Sequence, residues 1–302
     1  QNLNEANANE CGKLVGTVLV LGALVRKYEF KDESERMKID MVIDVVFPNL
    51  LGLLKALVTY QGPPNVELEE LKKAICKTYW SATYMHFSIT LRDPAVYRAW
   101  VSTLHALIIA PISTEGMPTD DKTELKHWPW WKSKKWALRI INRQFDKFSN
   151  LKRLSPELKT LATIYRDEFA TQMLNVYAEL LNSVTAGAAV PDRIVNLSVS
   201  HLTTAVNASF TYKAMEPFLD QMFVNNIFPL VCFTNEDAEL WEDDPHEYVR
   251  KTQDFIEDMY SPRTAAINYI SELTKTGKRM KDNLPKVLAH VVSIFTRFQA
   301  VP

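Results

Sequence analysis

Apolar side chains recur every three or four residues along most of the chain, which is the period of a helix that buries one face. In residues 33–60 the apolar stripe consists of Ile39, Val42, Ile43, Val46, Leu50, Leu53, Leu54 and Leu57. Comparable stripes cover residues 14–25, 66–87, 94–110, 130–148, 156–184, 191–207, 212–232, 245–259 and 285–298, and a further helix starts at residue 262. No segment shows sustained alternation of apolar and polar residues. The pattern therefore predicts an all-α protein of about ten or eleven helices.

The predicted helices fall into consecutive antiparallel pairs, spaced about 45 to 60 residues apart. Arrays of HEAT and armadillo type repeat a helix pair roughly every 40 to 47 residues, and stacking of the pairs creates one continuous core. We expect residues 1–302 to form a single right-handed α-solenoid of HEAT repeats with about five pairs. Two interruptions are predicted, a long polar loop at 111–127 and an acidic loop at 234–245. A large helical domain without repeats is the alternative.

Composition gives no sign of an enzyme. Only 8 of the 302 residues are glycine, and no glycine-rich phosphate loop or nucleophile motif occurs. The six histidines form no metal-ligand pattern, and His105 and His201 lie in apolar stretches typical of a helix core. We expect no catalytic site, no metal and no cofactor. Cys11, Cys76 and Cys232 lie far apart in apolar surroundings, which predicts reduced core thiols.

The longest apolar run, residues 14–25, is shorter than the roughly 20 residues that a membrane-spanning helix needs. No membrane partner is therefore expected. The formal charge of −1 makes steering of the whole chain towards nucleic acid equally unexpected, although local charged runs remain.

One such run is basic and rich in tryptophan. Residues 126–159 contain ten basic and two acidic side chains, with Trp130, Trp131 and Trp136 near the start. Basic groups interleaved with aromatic rings are typical of single-stranded nucleic acid binding. The interpretation we favour is that the aromatic residues anchor a helix while the lysines remain in solvent.

A second run is acidic. Residues 236–258 contain ten acidic and two basic side chains. The EF-hand spacing with its central glycine is absent, so calcium is not expected. Acidic residues at a helix start are favourable near the positive end of the helix dipole, so a solvated helix start is one interpretation. A basic protein partner is the other, and its proposed contacts are Glu236, Asp237, Glu239, Glu242, Asp243, Asp244 and Glu247.

Several segments resemble one family of proteins. They are residues 24–31 (LVRKYEFK), 130–138 (WWKSKKWAL), 227–234 (IFPLVCFT), 239–250 (ELWEDDPHEYVR) and 261–266 (SPRTAA). They are similar, in the same order, to segments of the importin seven and eight branch of the importin-β (karyopherin-β) superfamily.

The resemblance implies an internal fragment of a nuclear import receptor that shuttles between cytoplasm and nucleus. Receptors of this superfamily bind protein cargo, RanGTP and the FG repeats of nucleoporins, and this branch imports basic cargo such as ribosomal proteins and histones. The acidic residues would then contact cargo or Ran, RanGTP binding would require repeats upstream of residue 1, and an exposed Trp131 could receive an FG phenylalanine. An export receptor of the superfamily, an architectural HEAT scaffold and a nucleic-acid-binding helical repeat are the alternatives.

Overall fold

The computed structural model describes residues 8–253, 260–275 and 277–299. Within these ranges the regular structure is entirely helical, which confirms the all-α prediction. The chain divides into two compact units, Gln1–Ala170 and Thr171–Pro302.

The first unit is a two-layered stack of helices. Its helices are α1 (Ala8–Lys27), α2 (Glu33–Val58), α3 (Val66–Ala82), α4 (Pro94–Ile109), α5 (Pro129–Phe148) and α6 (Pro156–Ile164). The odd-numbered helices α1, α3 and α5 pack side by side, and so do the even-numbered α2, α4 and α6. Helices that alternate between two layers in this way form the arrangement of a helical repeat array.

Aromatic side chains fill the space between the layers. Tyr79 on α3 stacks on Trp100 of α4 with ring centroids 4.2 Å apart, and both side chains are fully buried. The buried side-chain amide of Gln144 on α5 bonds to two tyrosine hydroxyls: its Nε2 donates to Tyr79 (3.2 Å), and the Tyr97 hydroxyl donates to its Oε1 (3.3 Å). Burying such large rings stabilises the fold by about 1.5 to 3 kcal/mol each.

Helix boundaries follow the capping residues. Asp93 accepts hydrogen bonds from the backbone N–H groups of Ala95 and Val96, with Pro94 at the first helical position, as the sequence predicts. Residues 110–121 contain no helix, and one helical turn, Lys122–Leu125, follows. The segment predicted as the loop 111–127 therefore contains one short helical turn.

One helix, α2, is long and apolar enough over Ser34–Val58 to cross a membrane by length and composition alone. A core helix passes the same test. Ile43, Phe47 and Leu54 of α2 are fully buried, and the helix packs against α3 and α4.

The second unit has the same alternation. Its helices are α7 (Ala170–Thr185), α8 (Asp192–Asn207), α9 (Ser209–Met215), α10 (Asn235–Asp243), α11 (Pro245–Gln253), α12 (Pro262–Thr274) and α13 (Gly277–Gln299). Helix α8 packs along α12. The segment 209–231 lies against α13, where Lys286 donates to Asp220 at 2.8 Å and Asn283 donates to the Tyr212 hydroxyl at 3.0 Å.

The segment 212–232, predicted as one helix, is interrupted. After α9 it continues as a 3₁₀ turn (Glu216–Phe218), a helical turn (Leu219–Met222), a π-helical turn (Phe223–Ile227) and a last turn (Phe228–Val231). Pro217 lies in the 3₁₀ turn, and a proline cannot donate the backbone hydrogen bond that a regular helix requires. A second π-helical turn, Tyr165–Phe169, follows α6.

Two sequence predictions about single residues have different outcomes. His201 is buried and stacked on Tyr177 with ring centroids 4.0 Å apart, and burial lowers its pKa to about 3, so it is a core residue as predicted. Cys232 is exposed, whereas Cys11 and Cys76 are buried. The prediction of a core thiol is wrong for Cys232 because the helical turn before it ends at Val231 and the chain then runs along the surface.

Candidate partner-binding surfaces

The acidic residues lie on two short helices of the second unit, α10 and α11, not on a loop. Helix α10 begins with a capping box: the Thr234 side chain accepts from the backbone N–H of Asp237 (3.1 Å), and the Asp237 carboxylate accepts from the backbone N–H of Thr234 (2.8 Å). The predicted acidic loop 234–245 is therefore wrong between Asn235 and Asp243. The reciprocal hydrogen bonds of the box satisfy backbone donors that would otherwise lack partners, and so they start a helix there.

Asp237 is also held by an arginine. Arg263 on α12 donates from Nη1 to one carboxylate oxygen at 3.3 Å and from Nη2 to the other, and Nη2 also donates to the carbonyl of Cys232 at 2.9 Å. The Arg263 hydrogen bond, together with those of Thr234, lowers the pKa of Asp237 to about 2. This carboxylate therefore ties α10 to α12, and its contacts are internal to the unit.

The start of α11 uses two more acids. Asp244 is the residue before the helix, and its carboxylate accepts from the backbone N–H of Glu247 at 2.9 Å. Glu247 pairs with Arg250 in the next turn at 2.6 Å, which lowers the pKa of Glu247. For Asp244 and Glu247 the interpretation as a helix start is thus supported by geometry.

Three acidic residues remain outside these helix starts. Glu239, Glu242 and Asp243 are exposed and form no ion pair with any residue that the structure describes. Glu239 lies three and four residues before the other two, which places the three carboxylates on neighbouring positions of the α10 surface. Glu242 and Asp243 also occupy the last turn of α10, where the helix dipole disfavours negative charge.

An aromatic cluster joins α10 to α11. The Trp241 ring meets Tyr248 edge-on with centroids 5.4 Å apart, and Phe233 meets Tyr248 at 6.0 Å. Trp241 is 50% exposed and Phe233 is 60% exposed. We call Glu239, Glu242 and Asp243 the acidic surface. The exposed Trp241 is not among the residues predicted from the sequence, although the acidic residues Glu239 and Glu242 lie on either side of it in the chain.

Trp131 does not meet the condition for an FG contact. Its side chain is only 8% exposed and packs within the first unit, so little of the indole can be reached from solvent. The packing interpretation of Trp131 agrees with this position.

The basic run 126–159 falls largely on α5. Some of its cations are not in solvent but form hydrogen bonds inside the first unit. Lys134 is buried, and its ammonium donates to the carbonyls of Ile108 (2.5 Å) and Ala110 at the end of α4. Burial lowers the pKa of Lys134 to about 8. The Arg143 guanidinium donates to the carbonyl of Trp80 at 2.9 Å, near the end of α3. Cations near helix C-termini are favourable because carbonyl groups there lack helical partners.

The described residues contain no group of histidine, cysteine, aspartate or glutamate side chains that could hold a metal ion.

Comparison with known proteins identifies the family. The protein family Cse1 matches residues 147–302, more than half of the chain. The chain belongs to the Cse1 family. Its relatives place it in the importin-β superfamily, as the sequence motifs indicate.

Two relatives align along almost the whole of this Cse1-family chain. The importin beta-like SAD2 homolog of Arabidopsis thaliana is 38% identical over 286 residues, which is 95% of this chain and 27% of that protein. Importin-8 of Homo sapiens is 28% identical over 284 residues, 93% of this chain and 26% of that protein. The chain spans about a quarter of the length of these relatives.

A solved structure has the same fold. The exportin Cse1 in its cargo-free, cytoplasmic state superposes with a TM-score of 0.73 at 18% identity, over 97% of this chain and 32% of that one. The likeness confirms the prediction of an α-solenoid of HEAT repeats.

Proposed function

We propose that this Cse1-family chain is a segment of a nuclear import receptor and that its acidic surface binds a basic protein cargo. The proposal includes regulation by RanGTP, passage through the pore by contact with FG nucleoporins, and shuttling between cytoplasm and nucleus. The names of the two relatives, both importins, support the choice of import. A transport receptor acts by binding, so no catalytic activity is proposed.

The observation that carries the proposal is the set of carboxylates on α10 that the fold does not use. Asp237, Asp244 and Glu247 have structural partners, whereas Glu239, Glu242 and Asp243 are exposed without an ion pair among the described residues. Clustered exposed charge of one sign attracts a partner of the opposite sign, raises the association rate and makes affinity sensitive to salt.

The exposed indole adds a second means of recognition. A lysine or arginine side chain over the face of a tryptophan gains about 0.5 to 1 kcal/mol at an exposed site. Trp241 is exposed on the same helix as Glu239 and Glu242, so a partner with several basic side chains could contact both the ring and the carboxylates. Basic cargo therefore fits this surface better than an acidic or neutral partner.

The test is a pull-down of a linker histone by the full chain, at low and at physiological salt, with and without RanGTP. The variant E239K/E242K/D243K reverses the acidic surface without touching a helix cap. We expect it to weaken capture about tenfold or more, which corresponds to roughly 1.4 kcal/mol. Reversal of Asp244 is avoided because its carboxylate caps α11.

A matched control carries the same change of charge elsewhere. Glu115, Glu179 and Glu216 are exposed and have no ion pair within the described residues, so E115K/E179K/E216K alters net charge equally. Equal loss of capture in both variants would show that only net charge matters, and unchanged capture in the first would remove the acidic surface from the proposal. Release of the histone by RanGTP would support the regulatory part separately.

A further inference from the structure

A second charged surface, of opposite sign, lies on the first unit. The helices α3 and α5 pack against each other, and each carries a row of basic and aromatic side chains at helical spacing. The rows consist of Lys73, Lys77 and Trp80 on α3, and of Trp136, Arg139 and Arg143 on α5. Arg26, in the last turn of α1, lies on the neighbouring helix of the same layer. We call these seven residues the basic surface.

The cations and rings of the basic surface form a ladder. The Arg143 guanidinium lies 3.7 Å from the ring centroid of Trp80, and that of Arg139 lies 4.7 Å from Trp80 and 4.3 Å from Trp136. The Lys77 ammonium lies 5.5 Å from the Trp136 centroid, and the two indoles meet edge-on at 5.9 Å. Cations therefore cover both indoles.

Positive charge exceeds negative charge here. Lys73 is paired with Glu70, Glu29 is buried and accepts from Ser81 at 3.0 Å, and Glu69 is buried and accepts from Ser133. Neither Arg26 nor Lys77 has an ion-pair partner in the described part of the chain. Burial lowers the pKa of Lys77, the charges of Arg26, Lys73 and Arg139 lower it further, and the charge of Glu70 opposes them. The cations are thus close enough to repel one another, and a bound anion would relieve that repulsion.

We propose that the basic surface binds an acidic peptide segment of a protein partner, whose carboxylates pair with Arg26, Lys77 and Arg139. An arginine stacked on a ring is held in one plane, so less freedom is lost when it pairs with a carboxylate in bidentate geometry.

The ladder favours a peptide over single-stranded RNA. Sequence-independent RNA binding needs open aromatic faces on which bases stack. The Trp80 ring lies near two guanidinium groups and the Trp136 ring near Arg139 and Lys77, so their faces are already engaged. Carboxylates do not need an open ring face, because they bind to the positive charges and N–H donors of the lysine and arginine side chains.

The inference does not depend on the proposed cargo surface. The acidic surface lies on α10 of the second unit and takes a basic partner, whereas the basic surface lies on α1, α3 and α5 of the first unit and takes an acidic one. Probes of opposite charge therefore test the two separately.

The experiment measures fluorescence anisotropy of a labelled oligoglutamate peptide with the full chain, beside an oligoglutamine peptide and an oligouridylate. Arg26 is exposed and Lys77 is half-buried, so R26E/K77E changes charge with little change in packing, and the milder R26Q/K77Q gives a second measure if the first unfolds. K38E/K159E is the matched control, since both lysines are exposed and lie outside the basic surface.

We expect oligoglutamate to bind, to weaken with salt, and to lose about tenfold or more in affinity in R26E/K77E, with a smaller loss in R26Q/K77Q and none in the control. Absence of oligoglutamate binding, or an equal loss in the control, would overturn the proposal. Tighter binding of oligouridylate than of oligoglutamate, abolished by the same variant, would also overturn it and assign the surface to nucleic acid.

Discussion

The guanidinium of Arg263 on α12 donates hydrogen bonds to both carboxylate oxygens of Asp237 on α10, and the same carboxylate accepts from the backbone N–H of Thr234. One acidic residue of a strongly acidic segment is thereby committed to holding the segment in place. The charged helices α10 and α11 bury few apolar side chains, so their position depends on such polar contacts more than on a core.

Loss of this contact should appear as a change in acid stability. The pKa of Asp237 is about 2 in the folded chain, below the ordinary 3.8. A carboxyl whose pKa is lowered by folding stabilises the fold fully above its unfolded value and loses that contribution as the pH falls towards the folded value. Asp237 should therefore stabilise the second unit above about pH 4 and stop doing so by about pH 2.

The measurement is the urea midpoint of the full chain, followed by circular dichroism across this range. Above pH 4, D237N should lower the free energy of unfolding by about 1 kcal/mol, because the cap and the ion pair are lost, and the urea midpoint should fall accordingly. Below pH 4 the midpoint of D237N should decline less steeply than that of the wild type. E239Q is the control, because Glu239 is exposed and has no cap to lose. A D237N curve that parallels the wild type at every pH would contradict the role given to this residue.

Asp244 and Glu239 should differ in what their removal does. D244A removes the side chain that caps α11, so it should cost about 1 kcal/mol of stability, whereas E239A should leave the urea midpoint unchanged. Binding of a basic protein should respond in the opposite order, with the larger loss in E239A. Equal effects of the two variants on both measurements would show that the acids cannot be divided into structural and binding groups.

The lowered pKa of Lys134 predicts that the free energy of unfolding depends on pH in the alkaline range. Its pKa is about 8 in the folded chain, against an ordinary 10.5, because burial disfavours the charged ammonium. Between these values the unfolded chain binds more protons at this lysine than the folded chain, so stability from this group rises with pH. Lys134 should therefore raise the urea midpoint of the full chain progressively from pH 8 to about pH 10.5.

The substitution K134M removes that contribution. The urea midpoint of K134M should lack this increase with pH, while that of K159M, which changes an exposed lysine, should keep it. A K134M curve with the same alkaline slope as the wild type would mean that Lys134 keeps an ordinary pKa despite its burial.

The sequence predicts the helices well where an apolar stripe and a cap coincide. Asp93 and Pro94 mark the start of α4 because both signals have a direct backbone cause, and the burial of His201 follows from its place in an apolar stripe. Helix α10 is not predicted because five of its nine residues are acidic and it buries no side chain fully, so no apolar stripe marks it. The capping-box pair Thr234 and Asp237 carries the signal that could have predicted it.

The candidate surfaces are less visible in the sequence. A basic residue such as Lys134 looks exposed by type, and only the neighbouring ends of α4 and α5 show that its ammonium meets two carbonyls. The ladder between Trp80 and Arg143 joins residues that are far apart along the chain, and no periodicity predicts a contact of that kind. The π-helical turn at Phe223–Ile227 likewise has no pattern that marks it beforehand.

The central claim is that Glu239, Glu242 and Asp243 bind a basic partner. The most direct measurement is the dissociation constant of a lysine-rich peptide for the full chain, for E239Q/E242Q/D243N and for the control E115Q/E179Q/E216Q, at two salt concentrations. The account predicts about a tenfold or greater loss in the first variant, a shallower salt dependence, and little change in the control. An unchanged dissociation constant in E239Q/E242Q/D243N, with its helices intact by circular dichroism, would contradict it.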